Sequence, residues 1–243
     1  QWFLDPLSKF GPDHSLNSKR ITDKVQFIDQ TFLTTDPKSI SLKINNAHFI
    51  PNPCDKSFEI LENYNKDCTF DVFFAMSHGV HRGELKSGKE DDREKFINKL
   101  IKLNKNLKFD VYGMNNVQPV WADQFLKKIS NSKMGLNLSR GEPIKYYSSD
   151  RITQIVGNGL VCLIDEKTQY RNFFNDREMV FYKNVSDLSE KILKIATDDR
   201  VRRSIAKKGK EKYMKYFNST KVAEFIINKT LEIKTNNKYL WSK

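Results

Sequence analysis

Short apolar runs alternate along this chain with polar stretches whose apolar positions recur every three or four residues. That alternation predicts strands joined by helical crossovers, hence an α/β fold with a parallel sheet. The pattern is most regular from residue 68 onward. Residues 70–76 form a mostly apolar run, as a parallel strand buried on both faces should. Residues 93–103 carry apolar side chains at 96, 97, 100, 101 and 103, which is helical spacing. Strand-like runs follow at 109–113, 134–138, 160–164 and 180–182. Helical stretches are expected at 121–129, 151–157, 187–196, 199–216 and 220–234, with a further helical turn at 170–174.

The first 66 residues are more broken. Strand-like pieces are read at 2–4, 26–28, 31–35 and 47–50, stopped by Asp5-Pro6, Asp36-Pro37 and Pro51-Asn52-Pro53. Asp36 and Pro37 can open a short helix as N-cap and first-turn proline. His14 falls in a stretch read as polar loop, and His48 in a strand where a structural role is expected. Residues 55–67 read as a linker or connecting helix. The expected division is therefore 1–66 as the end of one Rossmann-like unit with its linker, 67–216 as a doubly wound unit, and 217–243 as a terminal helix packing back on the first part. The chain opens at Gln1 directly into an apolar run, which reads as the interior of a longer protein with about 100 residues of βαβ pattern upstream.

Charge changes the picture less than its size suggests. The formal net charge is +12, which raises nucleic acid, a phospholipid surface or a phosphorylated substrate as partners. The lysines are spread along the chain and interleaved with acids, so a solvated basic surface accounts for most of them. The only dense basic stretch is 200–210, with Arg200, Arg202, Arg203, Lys207, Lys208 and Lys210. There are three cysteines, an odd number without a CxxC pair, which argues against a disulfide framework or zinc site and fits the cytoplasm. No apolar run reaches the ~18 residues of a membrane span, and no signal peptide is visible.

In a doubly wound sheet, ligands sit beyond the carboxyl ends of the strands. This singles out loops 77–92, 113–120 and 139–151. The last leads into a helix start, where Ser148, Ser149 or Asp150 is a suitable N-cap and the free backbone amides make an anion site. Lys145 and Arg151 can add charge-assisted bonds, and Gln154, one turn on, can bond a sugar hydroxyl. An ordinary capped helix with surface cations fits the same residues. His78 and His81 flank Gly79 and Val80. They fit a metal pair lacking a third ligand, polar contacts in a cleft, or plain loop residues.

The run Gly135-Leu136-Asn137-Leu138, the loop 139–150, the helix 151–159 and the strand 160–165 resemble the donor-binding domain of GT-B glycosyltransferases, the branch related to CgeB-like and group 1 families. The stretch 181–188 followed by 197–209 resembles the same domain, and Asn52-Pro53-Cys54-Asp55 resembles its crossing point between domains. The resemblance covers about residues 68–230 through many weak positions. It implies a sugar nucleotide, UDP- or GDP-linked, as co-substrate, with no separate cofactor and no metal. Gly79, Arg82, Lys86 and Lys89 from the first loop, with Lys145, Ser148, Ser149, Arg151 and Gln154 from the second, are then the donor-binding candidates. Asp5, His78, His81 and Glu142 are candidates facing the acceptor or the cleft, and no catalytic base is assigned. Relatives usually carry Glu where Gln154 stands, and Gln makes no charge-assisted bonds. The implied activity is sugar transfer to a glycan or glycolipid acceptor, as in cell-surface polysaccharide synthesis, with peripheral association at the inner face of the membrane. An inactive scaffold module and a nucleic-acid-binding domain are the competing readings.

Overall fold

The computed structural model describes residues 1–243 apart from 10, 12, 78, 79, 82, 83, 86–90, 148 and 243, and only the backbone of 80, 81, 84 and 85. Its larger sheet has five strands: β4 (Phe70–Ala75), β7 (Phe109–Tyr112), β8 (Ser132–Asn137), β9 (Val161–Asp165) and β10 (Val180–Tyr182). Their order is β10-β9-β8-β4-β7, all parallel. The chain leaves β4 toward β7 on one side and then returns to lay β8, β9 and β10 on the other. The sheet therefore has a topological switch point between β4 and β8, which is where a doubly wound sheet opens a ligand crevice.

Helices cover both faces. Alternate strand residues Val72, Phe74, Met134, Leu136, Val161, Leu163 and Tyr182 pack with Ile97 and Leu100 of α2 (Asp92–Leu103) and Leu188 and Ile192 of α5 (Val185–Thr197). On the opposite face, Phe73, Cys162, Ile164 and Phe181 pack with α3 (Ala122–Ile129), α4 (Arg151–Gly157) and α6 (Asp199–Tyr216). The caps are sequence-local. Asp91 accepts from Arg93 N, Asn184 from Ser186 N and Asp187 N, and Asp198 from Val201 N. The two-residue strands β5 (Val80–His81) and β6 (Glu84–Leu85) pair antiparallel between β4 and α2.

The smaller sheet is also parallel, with order β1-β2-β3 from Trp2–Phe3, Thr31–Leu33 and Ala47–Phe49. One face packs Leu33 with Leu7 and with Ile21 of α1 (His14–Val25). The other packs Phe32 against Phe225 of α7 (Ser219–Thr230) at a centroid distance of 6.4 Å. As the sequence suggests, Asp36 caps a short 3-10 turn, accepting from Lys38 N with Pro37 in the first turn.

Two local expectations are corrected and a third is narrowed from linker or helix to linker. Residues 26–28, read as a strand, are the turn that closes α1, and His14 opens that helix instead of lying in a loop. α1 buries only Asn17 and Ile21, so its sequence carries almost no apolar stripe to announce it. Residues 55–67 form no long helix. They make turns and a 3-10 turn at Asn63–Asn65 that are clamped by α6, whose buried Arg202 donates to Asn63 O at 2.8 Å and Lys66 O at 3.2 Å. The three cysteines are free, in keeping with their spacing.

Candidate functional site

Arg151 stands at the switch point. Its Nε donates to Ala75 O at the end of β4, and its Nη1 to Leu138 O just past β8, both at 3.0 Å. Nη1 also donates to Ser149 Oγ at 3.0 Å, and the guanidinium lies over the Phe74 ring, 5.1 Å from its centroid. The side chain thus ties together the two strand ends that the crevice separates, and Nη2 is left without a partner among the described residues. Burial, with the charge of Arg93 adding to it, pushes the guanidinium down to about 10, so it remains a cation at neutral pH.

The start of α4 differs from the sequence reading. Asp150 takes the N-cap place in a helical conformation with no side-chain cap bond. The amides of Ile152, Thr153 and Gln154 already donate to Ser149 O and Asp150 O, so the helix offers few free amides. Ser148, the other capping candidate, lies outside the described residues.

Two cavities flank Arg151. The first, of about 630 Å³, lies between α3, α4 and the end of β4 and is lined by Phe58, Met76, Ser77, Trp121, Arg151 and Gln154, among others. Phe58 and Trp121 are exposed on its lip. Glu59 lies on its floor, where burial raises its carboxyl above the ordinary range. The second, of about 750 Å³, lies beyond the ends of β8, β9 and β10, bounded by the start of α2 and the loop 138–143.

The predicted site residues divide among these places. Arg151 and Gln154 line the first cavity, Ser149 accepts from Arg151 through its Oγ, and the Gln154 backbone carbonyl accepts from Asn158 Nδ2. Glu142 lines the second cavity, 3.9 Å from Lys167. Lys145 is drawn away from both, its Nζ 2.7 Å from Asp36 in the smaller-sheet half. Asp5 pairs with Arg20 at 3.5 Å on the surface of that half, and its charge reaches Tyr147 on the wall of the second cavity. His78, Gly79, Arg82, Lys86 and Lys89 lie outside the described residues, and of His81 only the backbone pairing with Glu84 is described. Among the described residues no three His, Cys, Asp or Glu side chains group as metal ligands, and no helix is long and apolar enough to cross a membrane.

The dense basic stretch on α6 is partly committed. Arg202 is fully buried, Arg203 pairs with Asp199 and, at 2.7 Å, with Asp67, and Lys210 donates to Leu61 O at 2.6 Å. These three make a structural seam, while Arg200, Lys207 and Lys208 are exposed. Trp121, Phe58, Asn137 and Tyr182 are cavity residues that sequence reasoning missed. The exposed aromatics had a readable signal, being apolar residues beside Pro or in a polar run.

A family model described as glycosyl transferase-like matches residues 91–228. No curated protein matches the sequence. Among solved structures, the chain is similar to Anabaena HepE in complex with UDP and glucose, with 11% identity, a TM-score of 0.66, and 96% of this chain and 71% of that one covered. It is similar to a variant of S. aureus TarM in complex with fondaparinux, alpha-GlcNAc-glycerol and UDP, with 14% identity, a TM-score of 0.62, and 88% and 46% covered. A third is the pneumococcal O-GlcNAc transferase GtfA in complex with UDP and GlcNAc, with 12% identity, a TM-score of 0.58, and 89% and 47% covered. At these identities the likeness is one of fold, and the chain spans about half the length of the TarM and GtfA chains.

Proposed function

Because the chain belongs to the glycosyl transferase-like family, we propose that it moves a sugar from a nucleoside-diphosphate donor to a glycan or glycolipid acceptor in cell-surface polysaccharide synthesis. The observation that carries the reading is Arg151, a half-buried cation fixed by Ala75 O and Leu138 O at the switch point, whose Nη2 has no partner among the described residues. In sugar transfer an acceptor hydroxyl attacks the anomeric carbon as its proton passes to a base or to the departing diphosphate. The bond to the diphosphate breaks, and the electron pair leaves on the phosphate oxygens. A preoriented guanidinium aimed there stabilises the growing charge, and in this reading the chain's own cations do so in place of a metal. Gln154 offers an amide to ribose hydroxyls, and Trp121 and Phe58 offer faces for a base. UDP is the favoured nucleotide, since three structures of this fold contain it.

A second reading, a binding module without catalysis, is favoured by the commitment of Lys145 to Asp36 and by the uncharged Gln154. Thermal shift with UDP, GDP and CMP tests the binding step, because a ligand at 100 times its Kd stabilises by about 2.7 kcal/mol. A shift is expected with UDP or GDP, and Arg151→Ala is expected to abolish it. An unchanged shift in that variant removes Arg151 from the site. Release of UDP from a UDP-sugar above the uncatalysed rate then separates the enzyme from the module.

A further inference from the structure

Asn137 and Tyr182 close the carboxyl ends of β8 and β10, with Asp165 of β9 between them, and all three line the second cavity. Asn137 is 4% exposed and Tyr182 1%. Neither Asn137 Oδ1 nor the Tyr182 hydroxyl has a hydrogen-bond partner among the described residues. Buried polar atoms are nearly always bonded, and leaving two unbonded beside one cavity is costly. The terminal torsion of Asn137 is soft, so Oδ1 can turn to an incoming group without backbone movement.

The other walls narrow the class of ligand. The Phe96 ring lies against Tyr182, with centroids 6.1 Å apart, and Leu138 and Tyr147 extend the apolar surface. The two arginines on the lining are taken. Arg93 bonds Asp91 at 3.0 and 2.7 Å, and Arg140 bonds Asp13 at 2.7 Å, while the exposed Lys167 stands 3.9 Å from Glu142. Asp165 accepts the Lys167 amide at 2.8 Å, and burial raises its carboxyl above the ordinary range. Among the described lining residues an anion would find one exposed lysine beside several carboxylates. An uncharged, hydroxyl-rich ring would find bonding partners and aromatic walls for its C–H faces.

We propose that this cavity receives an uncharged pyranose, with Asn137 and Tyr182 as the residues that select it by its hydroxyls. The inference rests on the donor reading above. Arg151 bonds Ala75 O, on the wall of the first cavity, and Leu138 O, whose residue lines the second. Arg151 thus stands between the two cavities, and in this reading a diphosphate beside it has its nucleoside in the first and its sugar in the second. The end sugar of an acceptor has the same chemistry, and the experiment distinguishes the two sources.

Calorimetric titrations of the 243-residue chain, its Tyr182→Phe variant and its Asn137→Ala variant test the proposal. The probes are UDP, UDP-glucose, UDP-N-acetylglucosamine, UDP-glucuronate, GDP, GDP-glucose and methyl glucoside. The expected result is that an uncharged sugar strengthens nucleotide binding about tenfold and that each variant removes about fivefold of that gain, the worth of one hydrogen bond. Binding of the bare nucleotide stays unchanged, and UDP-glucuronate gains nothing. Should methyl glucoside bind and lose its affinity in Tyr182→Phe while the nucleotide sugars gain nothing over the nucleotides, the pyranose is the acceptor's. If in addition no nucleotide binds, the donor reading fails and the cavity assignment stands. The proposal is overturned if neither variant changes the affinity of any sugar, if no probe gains from its sugar and methyl glucoside does not bind, or if glucuronate is preferred.

Discussion

Arg202 shows how one side chain can hold a long connection in place. It is fully buried, it satisfies the carbonyls of Asn63 and Lys66, and its Nη2 lies 2.5 Å from Asp199 Oδ1. Arg202→Ala leaves those acceptors buried without a donor, so a loss of about 3–5 kcal/mol is expected, measured by urea unfolding. His48 makes a second test. Desolvation, with Lys229 adding to it, holds its pKa below the usual 6.5, and the ring stacks on Phe32 while bonding Gln30. The unfolded chain then binds a proton more readily than the folded one. Its contribution to stability is intact above about pH 6.5 and is lost as the pH falls through the lower folded value. The drop in Tm between pH 7.5 and 5.5 is expected to be larger in the parent than in His48→Gln; equal drops would remove His48 as the cause. His48 was read as a structural residue of a strand, whereas the role of Arg202 was not readable beforehand. Arg202 looked like part of a cationic stripe because its partners are main-chain carbonyls 136 and 139 positions away, and sequence does not show carbonyls. Arg151 was read as a donor-binding candidate because it follows a strand and a loop, but its bonds to Ala75 and Leu138 were hidden for the same reason.

Among the elements, the larger sheet was legible and the smaller half only partly so. Strands β4, β8 and β9 are covered on both faces, and such strands print continuous apolar runs. α1 has the opposite character: it covers a three-stranded sheet with one apolar side chain, Ile21, and a single residue makes no period. The closeness of helix to sheet is set by glycine. An added Cβ at Gly135 of β8 would lie 2.5 Å from Ile155 Cγ1 of α4, and one at Gly209 of α6 would overlap the Glu178 carbonyl oxygen. Ile155 is a side chain and can shift, whereas a carbonyl in a turn yields less. Gly135→Ala is expected to cost about 1–3 kcal/mol and Gly209→Ala more, both read as the midpoint of chemical unfolding. The reverse order would mean that the turn at 175–179 is softer than its bonds indicate. The second cavity belongs to this scale too. Asn137 and Tyr182 sit at strand ends and read as core, and only the strand order brings them to one wall.

At the scale of the molecule, the two sheets are joined by rings. Phe225 of α7 meets Phe32, His48, Tyr239 and Trp241, and Trp241 reaches Phe217, which touches Phe173 beside the larger sheet. Trp241→Ala removes the centre of that chain of contacts and is expected to cost about 3–5 kcal/mol, seen as a lower Tm. A change confined to the surface range of about 0.5 kcal/mol would show that the halves hold without it. The loop after β8 makes a second join. Arg140 bonds Asp13, Lys145 bonds Asp36, the Lys145 carbonyl accepts from Thr35 Oγ1 and Asp36 N, and Ile144 enters the core of the smaller half. That stretch also walls the second cavity through Arg140, Gly141 and Glu142. It is anchored in one half and shapes a chamber of the other. Whatever fills the chamber therefore tugs on β2, and amide exchange at Thr31–Leu33 should slow on occupancy, although no atom of that strand lines the chamber.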